Sequence, residues 1–373
     1  IDKKVFVNQN DCKIFDRLNY LENINVDYYS VQFSGANLHP VCYEMEEVER
    51  KKISNKKVLS KLIAIRNAIK LIKPRFYLPS AGPAIFPFLK TNLSLGVDNI
   101  FIHQPDIKKF LKNSDTEVLC LKPGECLDPL KHKEPIAPPS FLELENLKKN
   151  LSCEFLEHKD EDFDIEELII EVKKRLDKIK DLIFAQCPEL ILDWGKEGLS
   201  IDLNKKVTKK INFAEYKLPS NFMRLQASPA YFSLMANPKY RWQDIFLTLR
   251  VNIKRMPDIF NTFINIFLFS DVSNIRSGFV TTLSINDERI VVINPYNGKN
   301  YEVNRFCPHN GADLKNARID SDGNIVCPRH SWQFNLNNNG RCIKANATID
   351  SKEIVDTITL CETISSRLTK NDV

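Results

Sequence analysis

Hydrophobic and polar positions follow two periods along this chain, and the changes of period mark out three stretches. In the first, short apolar runs at Val5-Phe-Val7, Asp27-Tyr-Tyr-Ser-Val31 and Arg75-Phe-Tyr-Leu78 read as strands, each running into a polar or glycine-containing loop: Asn8–Asp11, Gln32–Pro40 and Pro79–Pro83. Between the second and third strands, Val58, Leu62, Ile65, Ile69 and Ile72 fall at helical spacing, which predicts a helix from Lys56 to Ile72, stopped by Lys73-Pro74. Strands alternating with a helix argue an α/β layer, and loops after successive strands are where such layers carry function. The second stretch opens with a Pro- and Lys-rich surface crossing around Ala137-Pro-Pro139. From Asp164 to Phe184 one apolar stripe of Ile165, Leu168, Ile169, Val172, Leu176, Ile179 and Ile183 predicts an amphipathic helix, with Asp164 as N-cap, Glu166 and Glu167 in the first turn, and Cys187-Pro188 as its close. Leu199 to Ile211 alternates as strands do, whereas Ser228 to Phe269 reads as mostly helical, its aromatics Phe232, Trp242, Phe246, Phe260, Phe263 and Phe267 supplying core bulk. The third stretch returns to short strands at Ile290–Ile293, Lys299–Val303 and Asn324–Val326, with turn signals at Asn297-Gly298 and Asp322-Gly323 and a hairpin from Phe334 through Asn337-Asn-Asn-Gly340 to Ile343. The expected class is α+β: an α/β layer over 1–130, a mixed, largely helical connector over 131–275, and an all-β domain over 276–373.

Composition narrows the classes of function. With 373 residues, 43% hydrophobic and 27% charged, the chain is ordinary globular material for two or three domains. A net charge of +5, with both signs mixed along the chain, makes no case for nucleic acid. Basic runs such as Arg50-Lys-Lys52 sit beside Glu46, Glu47 and Glu49 and read as a solvated face. Even Phe263-Ile-Asn-Ile-Phe-Leu-Phe269 is too short and interrupted for a membrane span. Ten cysteines at this length are no disulfide scaffold; Cys12, Cys42, Cys187 and Cys361 read as scattered buried thiols, and a reducing cytoplasm is expected.

The chemistry concentrates in Arg305-Phe-Cys-Pro-His-Asn-Gly-Ala-Asp-Leu314 and Val326-Cys-Pro-Arg-His-Ser-Trp-Gln-Phe334. These give Cys307-x-His309 and Cys327-x-x-His330, a thiolate and an imidazole on each of two loops, with Pro308, Gly311 and Pro328 marking tight turns. Two Cys and two His suit a [2Fe-2S] centre in which one iron keeps its sulfur ligands and the other takes imidazoles. The same set can hold zinc, although a zinc finger usually groups its cysteines at one end and its histidines at the other.

In order and spacing the last ninety or so residues resemble the Rieske family, which implies a [2Fe-2S] cluster held by Cys307, His309, Cys327 and His330 and an electron donor, either a reductase or a small carrier. The respiratory-chain branch carries an extra, disulfide-forming cysteine in each loop; those places resemble Ala312 and Arg329 here, and its sulfide-bonding serine falls at Trp332. The resemblance is to the ferredoxin and oxygenase branch, with Ser331 where that branch usually has glycine. Fewer hydrogen bonds to the sulfurs imply a potential low in the Rieske range.

Upstream, Gln32-Phe-Ser-Gly-Ala36, Lys73–Pro83 and Leu121-Lys-Pro-Gly-Glu125 resemble the second half of a metallo-β-lactamase-like domain, in the branch joined to a Rieske module that includes the CMP-N-acetylneuraminate hydroxylases. That resemblance, extending through Trp242-Gln-Asp244 and Arg255-Met-Pro-Asp258, implies a hydroxylase passing electrons to an oxygen-activating metal, with a sugar nucleotide as substrate. The family's histidine-rich metal motif has no counterpart: of six histidines, His39, His103, His132 and His158 are dispersed. Asp11 resembles a later metal-binding aspartate, and reads equally as a turn cap. Because the chain starts at Ile1 on a strand-like run, a second metal, iron or zinc, is expected to be completed by residues upstream. The alternatives are a metallohydrolase with a redox Rieske module and a pure electron-transfer protein. No dinucleotide fingerprint appears, so NADH would act through another protein.

Overall fold

The computed structural model describes residues 3–12, 14–35, 38–80, 86, 89, 100–121, 146, 149–150, 163–184, 186–284, 288–309, 311–343, 345 and 347–354. The chain divides into two compact units, 1–280 and 281–373.

In the first unit, β1 (Phe6–Asn10), β2 (Tyr28–Gln32), β3 (Phe76–Ser80) and β4 (Glu117–Val118) pair in parallel in sequence order. A parallel sheet must be covered to be stable, and Tyr29, Val31 and Tyr77 are buried in one cluster with Leu62, Ile65, Ile69 and Ile72 of α1 (Glu47–Ile72). The helix starts well before the expected Lys56. Its first turns are charged and carry no apolar stripe, but Glu47 and Glu49 suit the positive end of the helix dipole. At the other end Lys73 adopts a left-handed φ of 50° before Pro74, as the sequence predicts for a stop. A short helix, α2 (Gln104–Phe110), is capped by His103, whose backbone N–H donates to Asp106 at 2.8 Å.

The expected helical connector is corrected. After α3 (Ile165–Asp177) come β5 (Glu189–Asp193), β6 (Glu197–Asp202), β7 (Val207–Asn212), β8 (Phe222–Gln226) and β9 (Asn252–Met256), joined in the order β7-β6-β5-β8-β9. All neighbours are antiparallel except β5 and β8. Five-residue strands such as Phe222–Gln226 and Asn252–Met256 are too short for periodicity to separate from helix, and the latter interrupts a region that is otherwise helical: α4 (Pro229–Ala236), α5 (Trp242–Phe246), α6 (Thr262–Phe269) and α7 (Ile275–Ser284). Leu168 and Val172 of α3, Leu190 and Leu225 of the sheet, Phe232, Phe246 and Phe267 share one core with Leu38, Val41 and Phe101. The stretches expected as separate domains over 1–130 and 131–275 thus pack together.

On α3 the Asp164 carboxylate accepts from the Glu166 N–H at 2.8 Å, the expected cap. Leu168, Ile169, Val172, Leu176 and Ile179 are buried, whereas Ile183 is 91% exposed. The helix gives way to turns after Asp177, ten residues short of Cys187; Ile179, in the first of those turns, stays in the core, and the stripe is lost beyond it. Arg175 is buried beside this stripe, donating from Nη1 to the carbonyls of Phe267 (2.8 Å) and Ser270 (2.9 Å) at the C-terminal end of α6 and lying 3.8 Å from the centre of the Trp242 ring. Among the described residues, no helix is long and apolar enough to cross a membrane.

The second unit begins within α7, at Thr281. Here β10 (Arg289–Ile293) and β11 (Asn300–Asn304) form one antiparallel sheet that is completed by β15 (Lys352–Ile354). Between these come β12 (Asn324–Val326), β13 (Gln333–Asn335) and β14 (Arg341–Cys342), which form a second. Tyr301, Val303, Ile325, Phe334, Leu336 and Ile349 are among the buried residues of this unit. The β13–β14 hairpin turns at Asn339 and Gly340, both with positive φ, and a Cβ on Gly340 would sit 2.7 Å from Ile349 Cγ1.

Candidate metal centre

The loop between β11 and β12 and the one between β12 and β13 repeat a single backbone design. The Cys307 N–H donates to the Ala312 carbonyl and the Gly311 N–H to the Cys307 carbonyl, both at 2.9 Å; the Cys327 N–H donates to the Trp332 carbonyl at 2.8 Å and the Ser331 N–H to the Cys327 carbonyl at 2.9 Å. Four residues after each cysteine the chain turns left-handed, at Gly311 (φ 61°) and Ser331 (φ 57°). The loop bases are tied down by side chains. Arg305 donates to Glu288 and Asp313, each at 2.8 Å, and its hydrogen bond to Asp313 holds that carboxyl below the usual range. Asp320 accepts from the Asn324 N–H (2.9 Å) and from Gln333 Nε2 (2.8 Å), bracketing β12.

Ser331 therefore keeps the glycine-type turn with a side chain present. A non-glycine residue there costs about 1–2 kcal/mol, part of which returns as lower unfolded-state entropy. Ser331→Gly is expected to stabilise the second unit by about 0.5–1 kcal/mol, measured as a raised thermal midpoint. A lowered midpoint would contradict this account of the turn.

The loops bring the four nominated side chains together in two pairs. Cys307 and Cys327 are fully buried, and hydrogen bonding from Cys307 draws the Cys327 thiol well below the ordinary thiol range against the opposing effect of burial, with His330 helping. Beside them the His309 and His330 rings lie with centroids 4.5 Å apart and planes at 70°. The Nδ1 nitrogens of both rings are shut off from solvent; among the described residues that of His330 has no oxygen or nitrogen partner, and the Cys327 sulfur engages its side chain. A buried ring nitrogen in that state is costly unless something else satisfies it, and a metal would. Among the described residues, no three or more His, Cys, Asp or Glu side chains group as a single metal ion requires. Donors arranged as a sulfur pair and a nitrogen pair fit a two-iron cluster, with thiolates for one iron and imidazoles for the other, better than one tetrahedral zinc.

The remaining candidates do not assemble. Asp11 is exposed just past β1 and belongs to no metal-sized group among the described residues. Cys12 is exposed, correcting its reading as a buried thiol, while Cys42 and Cys187 are buried and burial pushes both thiols up to about 12. His39 packs edge-on against Tyr43 and His103 caps α2. Cys361, His132, His158 and the segments 81–83 and 122–125 lie outside the described residues. One contact was not anticipated from the sequence: Trp332 stacks on His309, with ring centroids 4.3 Å apart and planes 8° from parallel. An aromatic two places after a ligand-type histidine was its only signal.

Sequence comparison matches residues 265–355 to the Rieske [2Fe-2S] domain family. The ferredoxin component of the alkene monooxygenase system of Xanthobacter autotrophicus is 21% identical over 80 residues, 21% of this chain and 65% of that protein, so the match spans just under two thirds of the relative's length. No solved structure matches significantly. Neither finding supports the metallo-β-lactamase-like or CMP-N-acetylneuraminate hydroxylase-like resemblance of the upstream segments. Residues 265–355 of this chain are a Rieske [2Fe-2S] domain, and the cluster such a domain implies fits the donors that its two loops present.

Proposed function

We propose that Cys307 and Cys327 bind one iron of a [2Fe-2S] cluster, that His309 and His330 bind the other, and that the chain passes single electrons to an oxygen-activating hydroxylase or monooxygenase centre. The observation that carries this reading is the pairing of donors, sulfur with sulfur and ring with ring, on two loops of one design. The oxygenase context is supported by the Xanthobacter relative, which is the ferredoxin component of an alkene monooxygenase system. An acylated sugar nucleotide as substrate rests on the upstream loop resemblance alone.

When bound, the cluster supplies one-electron chemistry at a potential set by its ligands and by hydrogen bonds to its sulfurs. The chain's own residues set the conditions. Buried Cys307 and Cys327 keep water from the sulfur end, while the half-buried His309 and His330 stand nearer solvent, the side from which a redox partner would approach. Ala312, fully buried, and Trp332 bring no hydroxyl to the cluster sulfurs. The midpoint is expected in the lower part of the roughly −150 to +300 mV Rieske span. Anaerobic redox titration checks this, and a strongly positive midpoint contradicts it. For the function itself, dithionite should bleach the visible absorption with uptake of a single electron, which the reduced protein then returns to oxidised cytochrome c. Absence of bleaching would overturn the electron-transfer reading. With an oxygenase partner present, Cys307→Ser should stop incorporation of labelled O2 into product; hydrolysis proceeding unchanged in that variant would point to a metallohydrolase instead.

A further inference from the structure

We propose that Trp332 is a positioning residue that fixes the plane of the His309 imidazole by stacking on it, and so locks the two cluster loops to each other. The inference rests on the ligand assignment above. His309 belongs to the first loop and Trp332 to the second, yet their rings are 4.3 Å apart and nearly parallel. The His330 ring meets His309 from another direction, 4.5 Å away at 70°. A parallel indole and a perpendicular imidazole together restrict rotation of the His309 ring about its last side-chain torsion.

Trp332 is itself held at two points. Its carbonyl accepts the Cys327 N–H that closes the second loop, and its ring lies 6.2 Å from that of Phe334, a fully buried strand residue. One residue therefore closes its own loop through the backbone and clamps the other through its side chain. The chemistry favours the pair when iron is bound. An imidazole that donates a lone pair to a metal becomes electron-poor, and the face of an indole is the most electron-rich surface among the side chains. Orientation of a metal-bound imidazole is commonly fixed by groups beyond the ligands themselves, and here the indole acts on the ring plane.

The test compares Trp332→Phe, which keeps a stacking ring, with Trp332→Leu, which keeps apolar bulk without one, both in the full chain with its cluster. The readouts are nitrogen couplings in pulsed EPR of the reduced protein, the midpoint potential, and the rate of cluster loss to a chelator. Trp332→Phe should resemble wild type in all three. Trp332→Leu should broaden the nitrogen couplings, shift the midpoint, and lose the cluster roughly two- to tenfold faster, the range expected for one aromatic pair. A Leu variant indistinguishable from wild type, or a Phe variant as disturbed as Leu, overturns the proposal. If the Leu variant fails to assemble a cluster, a wild-type-like Phe variant supports the stack and an equally empty Phe variant overturns it. Wild-type protein without nitrogen couplings sinks the ligand assignment and the stack with it, whereas wild-type couplings that persist unchanged in Trp332→Leu sink the stack alone.

Discussion

Protein purified without oxygen as Cys307→Ser or Cys327→Ser is expected to contain no stable cluster, with iron and acid-labile sulfide falling from two each per chain to near zero. Serine offers a harder, far less acidic oxygen donor, and both positions are fully buried, so no water can take over the lost sulfur ligand. The control is Cys342→Ser. Cys342 is also buried, but it stands on β14 at the hairpin, paired with Phe334, and belongs to neither loop. That variant should keep its cluster and lose only a little stability. Iron and sulfide analysis with visible absorption decides the matter; a full cluster in either loop variant would remove that cysteine from the ligand set.

The largest stability effect is expected at Arg175. Its guanidinium bonds two carbonyls at the end of α6 and stacks on Trp242, and although burial lowers its pKa to about 10 it stays charged at neutral pH. Arg175→Ala removes the guanidinium donor from the buried Phe267 carbonyl and the half-buried Ser270 carbonyl and leaves a gap against the indole, which should destabilise the first unit by about 3–5 kcal/mol. Arg175→Lys keeps the charge but not the planar fork or the stack, and should recover part of that loss. Denaturant unfolding followed by tryptophan fluorescence measures both. A change below about 1 kcal/mol in Arg175→Ala would mean that the contact is incidental.

The second unit was the more legible in sequence because its signals are local. Asn297-Gly298, Asp322-Gly323 and Asn339-Gly340 each punctuate β-forming runs, and the strands lie where those marks put them. The first cluster loop is equally legible through Gly311. In the second, Ser331 hides a left-handed turn, since nothing in a serine announces a positive φ; the matched hydrogen bonds of the loops reveal it. In the first unit the signals failed where tertiary packing decides. Strands as short as Phe222–Gln226 are specified by their neighbours in the sheet and not by their own period. The first turns of α1 have no apolar stripe, and Ile183 continues one in sequence after the helix has ended. Contacts between loops, such as that of Trp332 with His309, depend on how two turns are brought together, which spacing alone does not encode.

The ligand set is tested most directly by low-temperature EPR of the reduced, anaerobically purified chain, with metal and sulfide analysis of the same sample. The assignment of Cys307, His309, Cys327 and His330 predicts two irons, two acid-labile sulfides, and a signal whose couplings show nitrogen and sulfur ligation together. One tightly bound zinc with no labile sulfide, or an iron-sulfur signal without nitrogen couplings, would contradict it.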